Sequence, residues 1–345
     1  MLKLFMFCLA VVGLVVGQSL RESSCVDRCG IRFNHRLICQ CNKKCPIYGN
    51  CCPDYSTKCE LTNSKRCQTS EVTQNDLSSI SLKLYDLDVN RASPDDYVIN
   101  PQAMTTSWHL RDMSPNRFFT SVNQNLLNKP TYQALINLLD NYEMIQGKDE
   151  YVTRAETDEI YTFLNAFMST SIGRKLYEFL SEKGLSGCEN KITFIENLKK
   201  MWFDLYSRGS HAMDTSGFEH VFVGEIKGSK VSGLHNWVQI YLQENSRRLN
   251  YYGYPGKAEP SFYYVRFEWN GYKKHRSGTF IGSSPEYDFA IFTLCHLTRS
   301  GSDCKVKLRN RINQIITCSV QTYAWINYSP TGDGLKYVAS AYFDF

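Results

Sequence analysis

The stretch that organises this sequence is residues 217–237, GFEHVFVGEIKGSKVSGLHNW. It contains two histidines, His220 and His235, that lie fifteen residues apart. Before it, apolar residues recur at helical spacing, whereas from Phe218 onward β-branched and aromatic residues form short runs separated by Gly, Asn, Ser and Pro. The stretch therefore marks the boundary between a helical half and a strand-rich half of one large domain.

The strand-rich half is predicted from six runs with high β-propensity. They are HVFVGEI from His220, HNWVQIYL from His235, SFYYVRFEW from Ser261, KVKLR from Lys305, IITCSVQTYAW from Ile315 and KYVASAYF from Lys336. Residues 285–295, PEYDFAIFTLC, fit a helix better. We therefore expect a mixed subdomain with an antiparallel sheet and one helix.

The helical half is predicted from two sets of apolar residues at helical spacing. The sets are Ile160, Phe163, Leu164, Phe167 and Met168, and Ile195, Leu198, Met201, Trp202 and Leu205. Weaker patterns over 77–87 and 131–145 make residues 77–207 mainly helical, and the polar residues 61–76 predict a linker. The fold class is therefore α+β, a helical subdomain followed by a sheet subdomain.

Length and composition bound the class of protein. The chain has 345 residues, 43% hydrophobic and 21% charged, with a formal net charge of +5. Such values exclude a disordered, collagenous or multi-span membrane chain. The modest charge also excludes a wholly basic nucleic-acid binder, so local charge matters more than the total.

The N-terminus has the layout of a secretory signal. Lys3 precedes fourteen residues, LFMFCLAVVGLVVG, that end in small residues near Gly17. This is typical of a cleaved signal peptide, here residues 1–18, and it is shorter than the roughly 20 apolar residues that a membrane span needs. We expect a secreted, extracellular protein without a membrane span, whose cysteines form disulfides.

Eight of the 14 cysteines lie within residues 25–59, CVDRCGIRFNHRLICQCNKKCPIYGNCCPDYSTKC. So little aliphatic content cannot build a core, and the segment must be cross-linked. Spacing alone does not choose among the many possible pairings. Cys8 lies in the predicted signal peptide, and the other five are an odd number: Cys67, Cys188, Cys295, Cys304 and Cys318. At least one of them has no intramolecular partner, and Cys295 can bridge to either Cys304 or Cys318.

The cysteine pattern over residues 21–62, with CxC at Cys39 and CCPDY at Cys51, resembles a somatomedin B domain. The resemblance implies a role in protein binding and four disulfides, Cys25–Cys41, Cys29–Cys59, Cys39–Cys52 and Cys45–Cys51. The best-known members bind their partners with acidic residues in a turn that here reads Asn42-Lys43-Lys44. We therefore do not expect this domain to bind the partners of those members, and a different protein or matrix partner is possible.

Two histidines and a cation can cleave RNA without a metal. One imidazole takes the 2′-hydroxyl proton, the other protonates the leaving 5′-oxygen, and a lysine stabilises charge on the phosphorus. The simpler interpretation is that His220 and His235 are structural strand residues. Against it, residues 226–280 hold nine Lys or Arg and three Glu, interleaved with twelve aromatic residues. Such a pattern is typical of single-stranded RNA binding, although a solvated basic face and a core role for the aromatics remain open.

The motifs GFEHVFVGEIK, SGLHNW, FEWNGYKK, FIGSSPEYDFA, TYAW and KYVASAYF occur in an order that resembles the EndoU family of uridylate-preferring endoribonucleases. The resemblance covers residues 70–345. It implies that His220, His235 and Lys274 are catalytic, with His235 the base and His220 the acid. It further implies that the uridine and phosphate are positioned by Thr322, Tyr323, Tyr337 and Tyr342, with Ser277 and Ser283 weaker candidates.

Glu219 and Glu225 also match positions that this family uses. If EHVFVGE is a regular strand, alternation places both glutamates on the face opposite His220, where they support the site. The resemblance also implies manganese as cofactor, with calcium possible. The sequence contains no clustered histidine–carboxylate set and no calcium loop. Any ion is therefore expected to act through the RNA or through the two glutamates.

Two functions follow. The first is a secreted, monomeric endoribonuclease that cuts single-stranded RNA, not DNA, at uridylates by 2′-hydroxyl transesterification, leaving 2′,3′-cyclic phosphate ends. The alternative is an interaction protein that acts through its somatomedin B domain and carries a vestigial nuclease domain. The presence of His220, His235 and Lys274 together favours the first.

Overall fold

The computed structural model describes residues 23–25, 28–35, 37–42, 44–55, 58–59, 70–105, 111–185, 190–208, 212–325 and 336–345. The predicted signal peptide, the predicted linker up to residue 69, and Cys67 and Cys188 lie outside these described residues. None of the helices in the described ranges combines the length and apolar character that a bilayer crossing requires.

The N-terminal domain is built on cystines. Its four disulfides join the pairs that the resemblance implies, Cys25–Cys41, Cys29–Cys59, Cys39–Cys52 and Cys45–Cys51. Its small core consists of these cysteines and Tyr55, and the domain includes the short helix α1 (Cys45–Tyr48). The cross-links therefore replace the aliphatic core that the segment lacks. The Asn190 side chain donates to the Cys29 carbonyl at 3.1 Å, which links this domain to the large one.

The helical half is confirmed, and its helices start at the residues that cap them. They are α2 (Gln74–Asp86), α3 (Gln124–Leu127), α4 (Pro130–Leu138), α5 (Arg154–Ser169), α6 (Ser171–Glu182) and α7 (Lys191–Phe203). Thr73 and Thr153 each form a capping box, with Asp76 and Glu156 respectively. The predicted helix over 131–145 is too long, because α4 ends at Leu138. A small antiparallel hairpin, β1 (Tyr97–Ile99) and β2 (Phe119–Val122), was not predicted.

The strand-rich half contains the predicted sheet and helix, but two of the six strand predictions are wrong. Its strands are β3 (Glu225–Lys227), β4 (Lys230–Ser232), β5 (Leu249–Ala258), β6 (Phe262–Trp269), β7 (Tyr272–Phe280), β8 (Cys304–Arg309), β9 (Ile315–Trp325) and β10 (Tyr337–Asp344). HVFVGEI instead opens with a wide helical turn, Glu219–Val223, here called the His220 turn. HNWVQIYL forms helix α8 (Trp237–Asn245), and helix α9 (Pro285–Arg299) extends the predicted one.

Both misassigned runs are buried on every side, which explains the errors. All five residues of the His220 turn are buried, as are most residues of α8. A continuous apolar run carries no periodicity, so pattern alone does not separate a buried strand from a buried helix. The run HNWVQIYL is helical because the Asn236 side chain accepts from the backbone N–H groups of Val238 and Gln239, both at 3.1 Å, and so caps the start of helix α8.

The strand-rich half contains two sheets. Strands β3, β4, β7, β6 and β5 form one sheet in that order, antiparallel except for the β4–β7 contact, and β10, β9 and β8 form the other. One continuous hydrophobic core joins the helical half to both sheets. Cys295 of α9 is bonded to Cys304 of β8, and Cys318 is a buried free thiol. The structure therefore selects one of the two bridges that the sequence left open.

Candidate active site

The His220 turn brings a histidine and a glutamate together. The Gly224 N–H donates to the Glu219 carbonyl at 2.8 Å, a five-residue spacing typical of π-helical turns. Ser216 and Glu219 cap the turn reciprocally, each N–H donating to the other side chain, at 3.2 and 3.1 Å. Gly224 then takes a φ of +94°, which suits glycine. The backbone thereby places Glu225 directly against His220, and not on the opposite face as a regular strand requires.

Glu225 anchors one nitrogen of the His220 ring. The Nδ1–H of His220 donates to Oε1 of Glu225, while the Thr215 hydroxyl donates to Oε2 at 3.0 Å. The guanidinium Nε of Arg208 lies 3.9 Å from the same Oε1. Burial opposes ionisation of Glu225, but His220 and Arg208 outweigh it and lower its pKa to about 2. Glu225 is therefore an ionised carboxylate at neutral pH, and no feature of the sequence pointed to Arg208.

His235 is tied to the His220 turn through the backbone. The Leu234 N–H donates to the His220 carbonyl at 2.9 Å, and the His235 N–H donates to the Val221 carbonyl at 2.8 Å. Gly233 has a φ of +68°, and a Cβ at this position would overlap the His220 carbonyl oxygen. Only glycine permits this approach, so the SGLHNW motif fixes the spacing between the two histidines.

The two imidazole rings lie close together, with 6.4 Å between their centroids and an interplanar angle of 49°. The Nδ1 of His235 lies 3.2 Å from the Gly278 carbonyl and 3.1 Å from the Ser277 hydroxyl oxygen. The ring of Tyr342 stacks on the imidazole at 5.1 Å with an interplanar angle of 24°. Burial lowers the pKa of His235 well below its ordinary value, and the Lys274 cation lowers it further. The pKa of His220 is lowered by burial too, although Glu225 opposes that shift.

Lys274 lies close to the two histidines. Its ammonium donates to the Gly233 carbonyl, so it meets the backbone between the two histidines. Burial lowers the pKa of Lys274 to about 8, while the Glu225 charge opposes the shift. The lysine therefore carries its positive charge at neutral pH and loses it in the mildly alkaline range.

The four residues expected to position uridine lie in different places. Tyr342 stacks on His235, and Tyr323 lies near it on the paired strand β9. Thr322 alternates with Tyr323 along β9 and is fully buried on the core face. Tyr337 stacks on Tyr206 at 5.9 Å and is buried. The structure thus brings Tyr342 and Tyr323 to the histidines, while Thr322 and Tyr337 lie beneath the surface.

A basic cleft of about 960 Å³ leads to Lys274. Its cationic lining residues are Lys230, Lys257, Arg266, Lys273, Lys274 and Arg276, and His275 lies beside them. No Asp or Glu is among the described residues that line it. Arg276 stacks on one aromatic wall of the cleft, at 3.5 Å from the ring centroid of Tyr264. The cleft therefore suits a polyanion, and it includes Lys274, whose ammonium meets the backbone between the two histidines.

Glu219 and Glu225 do not fit a metal site. The carboxylate oxygens of Glu225 are already used by His220 and Thr215. Burial, and then the nearby Glu150, raises the pKa of Glu219 well above its ordinary value, which disfavours the ionised form that a metal ligand needs. Within the described ranges, the only closely grouped potential metal ligands are sulfurs that belong to disulfides, those of Cys25, Cys41 and Cys52. The described residues therefore do not build a protein-held manganese site.

Two imidazoles, and an ammonium group that lines a basic cleft beside them, define a candidate site for acid–base cleavage of a phosphodiester. Two family models match the chain: Endoribonuclease XendoU over residues 76–343 and Somatomedin B domain over residues 23–62. The chain belongs to the XendoU endoribonuclease family and carries a somatomedin B domain in front. Both resemblances seen in the sequence are confirmed.

Curated relatives and a solved structure agree with this family. The chain is 39% identical over 330 residues to the uridylate-specific endoribonuclease of Bos taurus, covering 94% of this chain and 78% of that protein. It is 40% identical over 328 residues to the protein of the same name from Mus musculus, covering 93% and 78%. The solved structure of XendoU, described as a splicing-independent snoRNA-processing endoribonuclease, matches with a TM-score of 0.63 and 31% identity over 78% of this chain and 96% of that one.

Proposed function

We propose that this protein is a secreted endoribonuclease that cuts single-stranded RNA at uridylates by transesterification and leaves 2′,3′-cyclic phosphate ends. The observation that carries the proposal is the convergence of His220, His235 and Lys274, all buried, beside the basic cleft that Lys274 lines. Uridylate preference is supported by the relatives' names. Secretion is supported by the somatomedin B domain and its disulfides, which are typical of extracellular proteins.

The surroundings of the two histidines favour different roles. Glu225 accepts from Nδ1 of His220, and a carboxylate in this position stabilises the imidazolium. His220 therefore acts as the acid that protonates the leaving 5′-oxygen. His235 is held by uncharged acceptors, its pKa is lowered the further of the two, and it is neutral near pH 7. It acts as the base that removes the 2′-hydroxyl proton.

Lys274 supplies the charge that the transition state needs. Negative charge builds on the non-bridging oxygens as the 2′-oxygen attacks phosphorus, and a fixed cation in a site of low water content stabilises it. Nζ already donates to the Gly233 carbonyl, so the lysine is held in place before the substrate arrives. The reaction needs no metal for this step.

The first test is product analysis. A fluorescent oligonucleotide with a single uridine, incubated with the oxidised, full-length protein, is expected to be cut after the uridine and to carry a cyclic phosphate on the 5′ fragment. The same incubation with and without manganese, beside direct titration of manganese into the protein alone, tests the cofactor. We propose that manganese, where it is required, acts through the RNA. Binding without any cleavage, with or without manganese, would move the interaction-protein alternative to first place.

Glu225→Gln is expected to lower kcat by about 10- to 100-fold with KM little changed, because a neutral amide no longer stabilises the His220 imidazolium. Single-turnover cleavage of the single-uridine substrate measures the effect. Glu268→Gln is the control, since this strand glutamate accepts from Tyr252 outside the site. An unchanged kcat for Glu225→Gln in a folded protein would contradict the role assigned to the carboxylate.

Lys273→Ala is expected to raise KM for RNA several-fold and to leave kcat unchanged, because this exposed lysine lines the cleft and does not reach the histidines. The slope of log KM against log salt concentration is expected to fall by about 0.7 for each phosphate that the lysine no longer neutralises. Lys175→Ala, on helix α6 outside the cleft, is the matched control. Equal salt slopes for the two variants would argue against RNA lying along the cleft.

The second candidate function is binding of a protein or matrix partner by the N-terminal domain, and one observation favours it. Phe33 and Tyr48, 64% and 71% exposed, line one pocket on a domain whose own core is made of cystines, and Ile47, next to Tyr48 in helix α1, is 79% exposed. A grouping of large exposed apolar side chains typically marks an interaction surface. Tyr48→Ala is expected to weaken binding of the intact protein to immobilised extracellular matrix and to leave RNA cleavage unchanged. Equal matrix binding by both proteins would count against this second function.

A further inference from the structure

Ser277 lies beside His235 on strand β7 and has no access to solvent. Its hydroxyl donates to the Leu234 carbonyl at 2.5 Å, and its oxygen is 3.1 Å from Nδ1 of His235. The neighbouring Gly278 carbonyl lies 3.2 Å from the same nitrogen. A residue that does not line the cleft thus contacts Nδ1 of the ring that is assigned as the base.

The hydrogen bonds around Nδ1 have one consistent solution. A serine hydroxyl carries a single hydrogen, and in Ser277 that hydrogen is used by the Leu234 carbonyl. Toward His235 the serine oxygen can therefore only accept. The Gly278 carbonyl also can only accept. Because both neighbours are acceptors, Nδ1 must carry the proton, and the unprotonated nitrogen of the neutral ring is Nε2.

We propose that Ser277 is a positioning residue that, with the Gly278 carbonyl, locks His235 in the tautomer with its proton on Nδ1, so that Nε2 is the nitrogen that accepts the 2′-hydroxyl proton. This inference rests on the proposed function for its catalytic meaning, but the tautomer itself does not. It also gives Ser277 a role other than the contact with substrate that the resemblance suggests for it.

The two histidines differ in the acceptors that bind their Nδ1 atoms, and this difference fits their proposed roles. At His220 the Nδ1 acceptor is the ionised carboxylate of Glu225, which stabilises the charged ring of an acid. At His235 the acceptors are a hydroxyl and a carbonyl, which orient the ring without adding negative charge. One site therefore has two differently supported imidazoles, as an acid and a base require.

The experiment is nitrogen NMR on protein labelled with ¹⁵N-histidine, with His235 assigned by the signals that are missing in His235→Gln. The wild-type protein is expected to show a protonated Nδ1 and an unprotonated Nε2 at neutral pH. In Ser277→Ala the signals are expected to shift toward a mixture of tautomers, with kcat lowered about three- to tenfold and KM unchanged. Thr279→Val is the control, since Thr279 is buried on the same strand without contacting His235.

A wild-type ring with its proton on Nε2 would overturn the inference, as would a Ser277→Ala spectrum identical to that of the wild type. The wild-type spectrum needs no substitution, so the tautomer stays testable even if Ser277→Ala fails to fold. Because the spectrum does not depend on turnover, an Nδ1–H tautomer in a protein that cuts no RNA would support the lock and refute the proposed function. The two failures are therefore distinguishable.

Discussion

His235→Ala is expected to reduce kcat/KM for the single-uridine substrate by about 10³-fold or more, in keeping with the loss of a general base. His235 has uncharged acceptors at Nδ1 and a pKa well below its ordinary value, and its removal leaves His220 as the single imidazole of the pair to serve as both acid and base. Single-turnover kinetics with excess enzyme measure the effect without interference from product release.

His35→Ala is the control for this variant, because His35 is exposed in the N-terminal domain and belongs to neither the cleft nor the histidine pair. It is expected to cleave at the wild-type rate. RNA binding by His235→Ala should be close to that of the wild type, since the cleft is untouched. A His235→Ala protein that is folded, binds RNA and retains more than a tenth of the activity would refute the assignment of His235 as the base.

Lys274→Ala is expected to lower kcat by about 10²- to 10³-fold, as removal of one charge-stabilising donor does in other active sites. The pH profile gives a sharper test. Free Lys274 loses its charge as the pH rises through about 8, whereas His220, with a lowered pKa, loses the proton it needs as an acid below that value. In a plot of log kcat/KM against pH, the descending limb should therefore first have the slope expected for loss of one proton, and above pH 8 the slope expected for loss of two protons.

Lys274→Arg separates these two ionisations, because a guanidinium keeps its charge throughout this range. Its activity is expected to be reduced by the larger side chain, and the steeper alkaline fall should vanish while the shallower one remains. The measurement is kcat/KM from pH 5 to 9.5, corrected for uncatalysed hydrolysis of the RNA. An unchanged steep fall in Lys274→Arg would mean that another group, and not Lys274, titrates near pH 8.

The helical half could be predicted well from the sequence, because amphipathic helices with capped ends have a period that reads directly from the chain. Helix α5 begins at the capping box of Thr153 and Glu156 and buries the predicted residues Ile160 and Phe163. Prediction failed at the centre of the molecule. There the runs around His220 and His235 are buried on all sides, so no polar face reveals whether they are helical or extended.

The candidate site was likewise predictable only in part from the sequence. The motif order supplied His220, His235 and Lys274, and the structure brings these three together. The relation between His220 and Glu225 could not be read from the chain, because it depends on a wide helical turn where strand alternation was assumed, and this turn places the two side chains against each other. Arg208 could not be predicted either, since it reaches Glu225 from a segment seventeen residues earlier.

What the sequence by itself determined is local: the cysteine framework of the N-terminal domain, the helices with periodic faces, and the residue types that acid–base chemistry requires. What only the tertiary structure decided is the environment of those residues. Burial of Lys274 lowers its pKa to about 8, and Glu225 and Ser277 give the two histidines different hydrogen-bond partners. The physical reason is that desolvation and hydrogen-bond geometry arise from contacts between distant segments, and these properties determine which imidazole serves as acid and which as base.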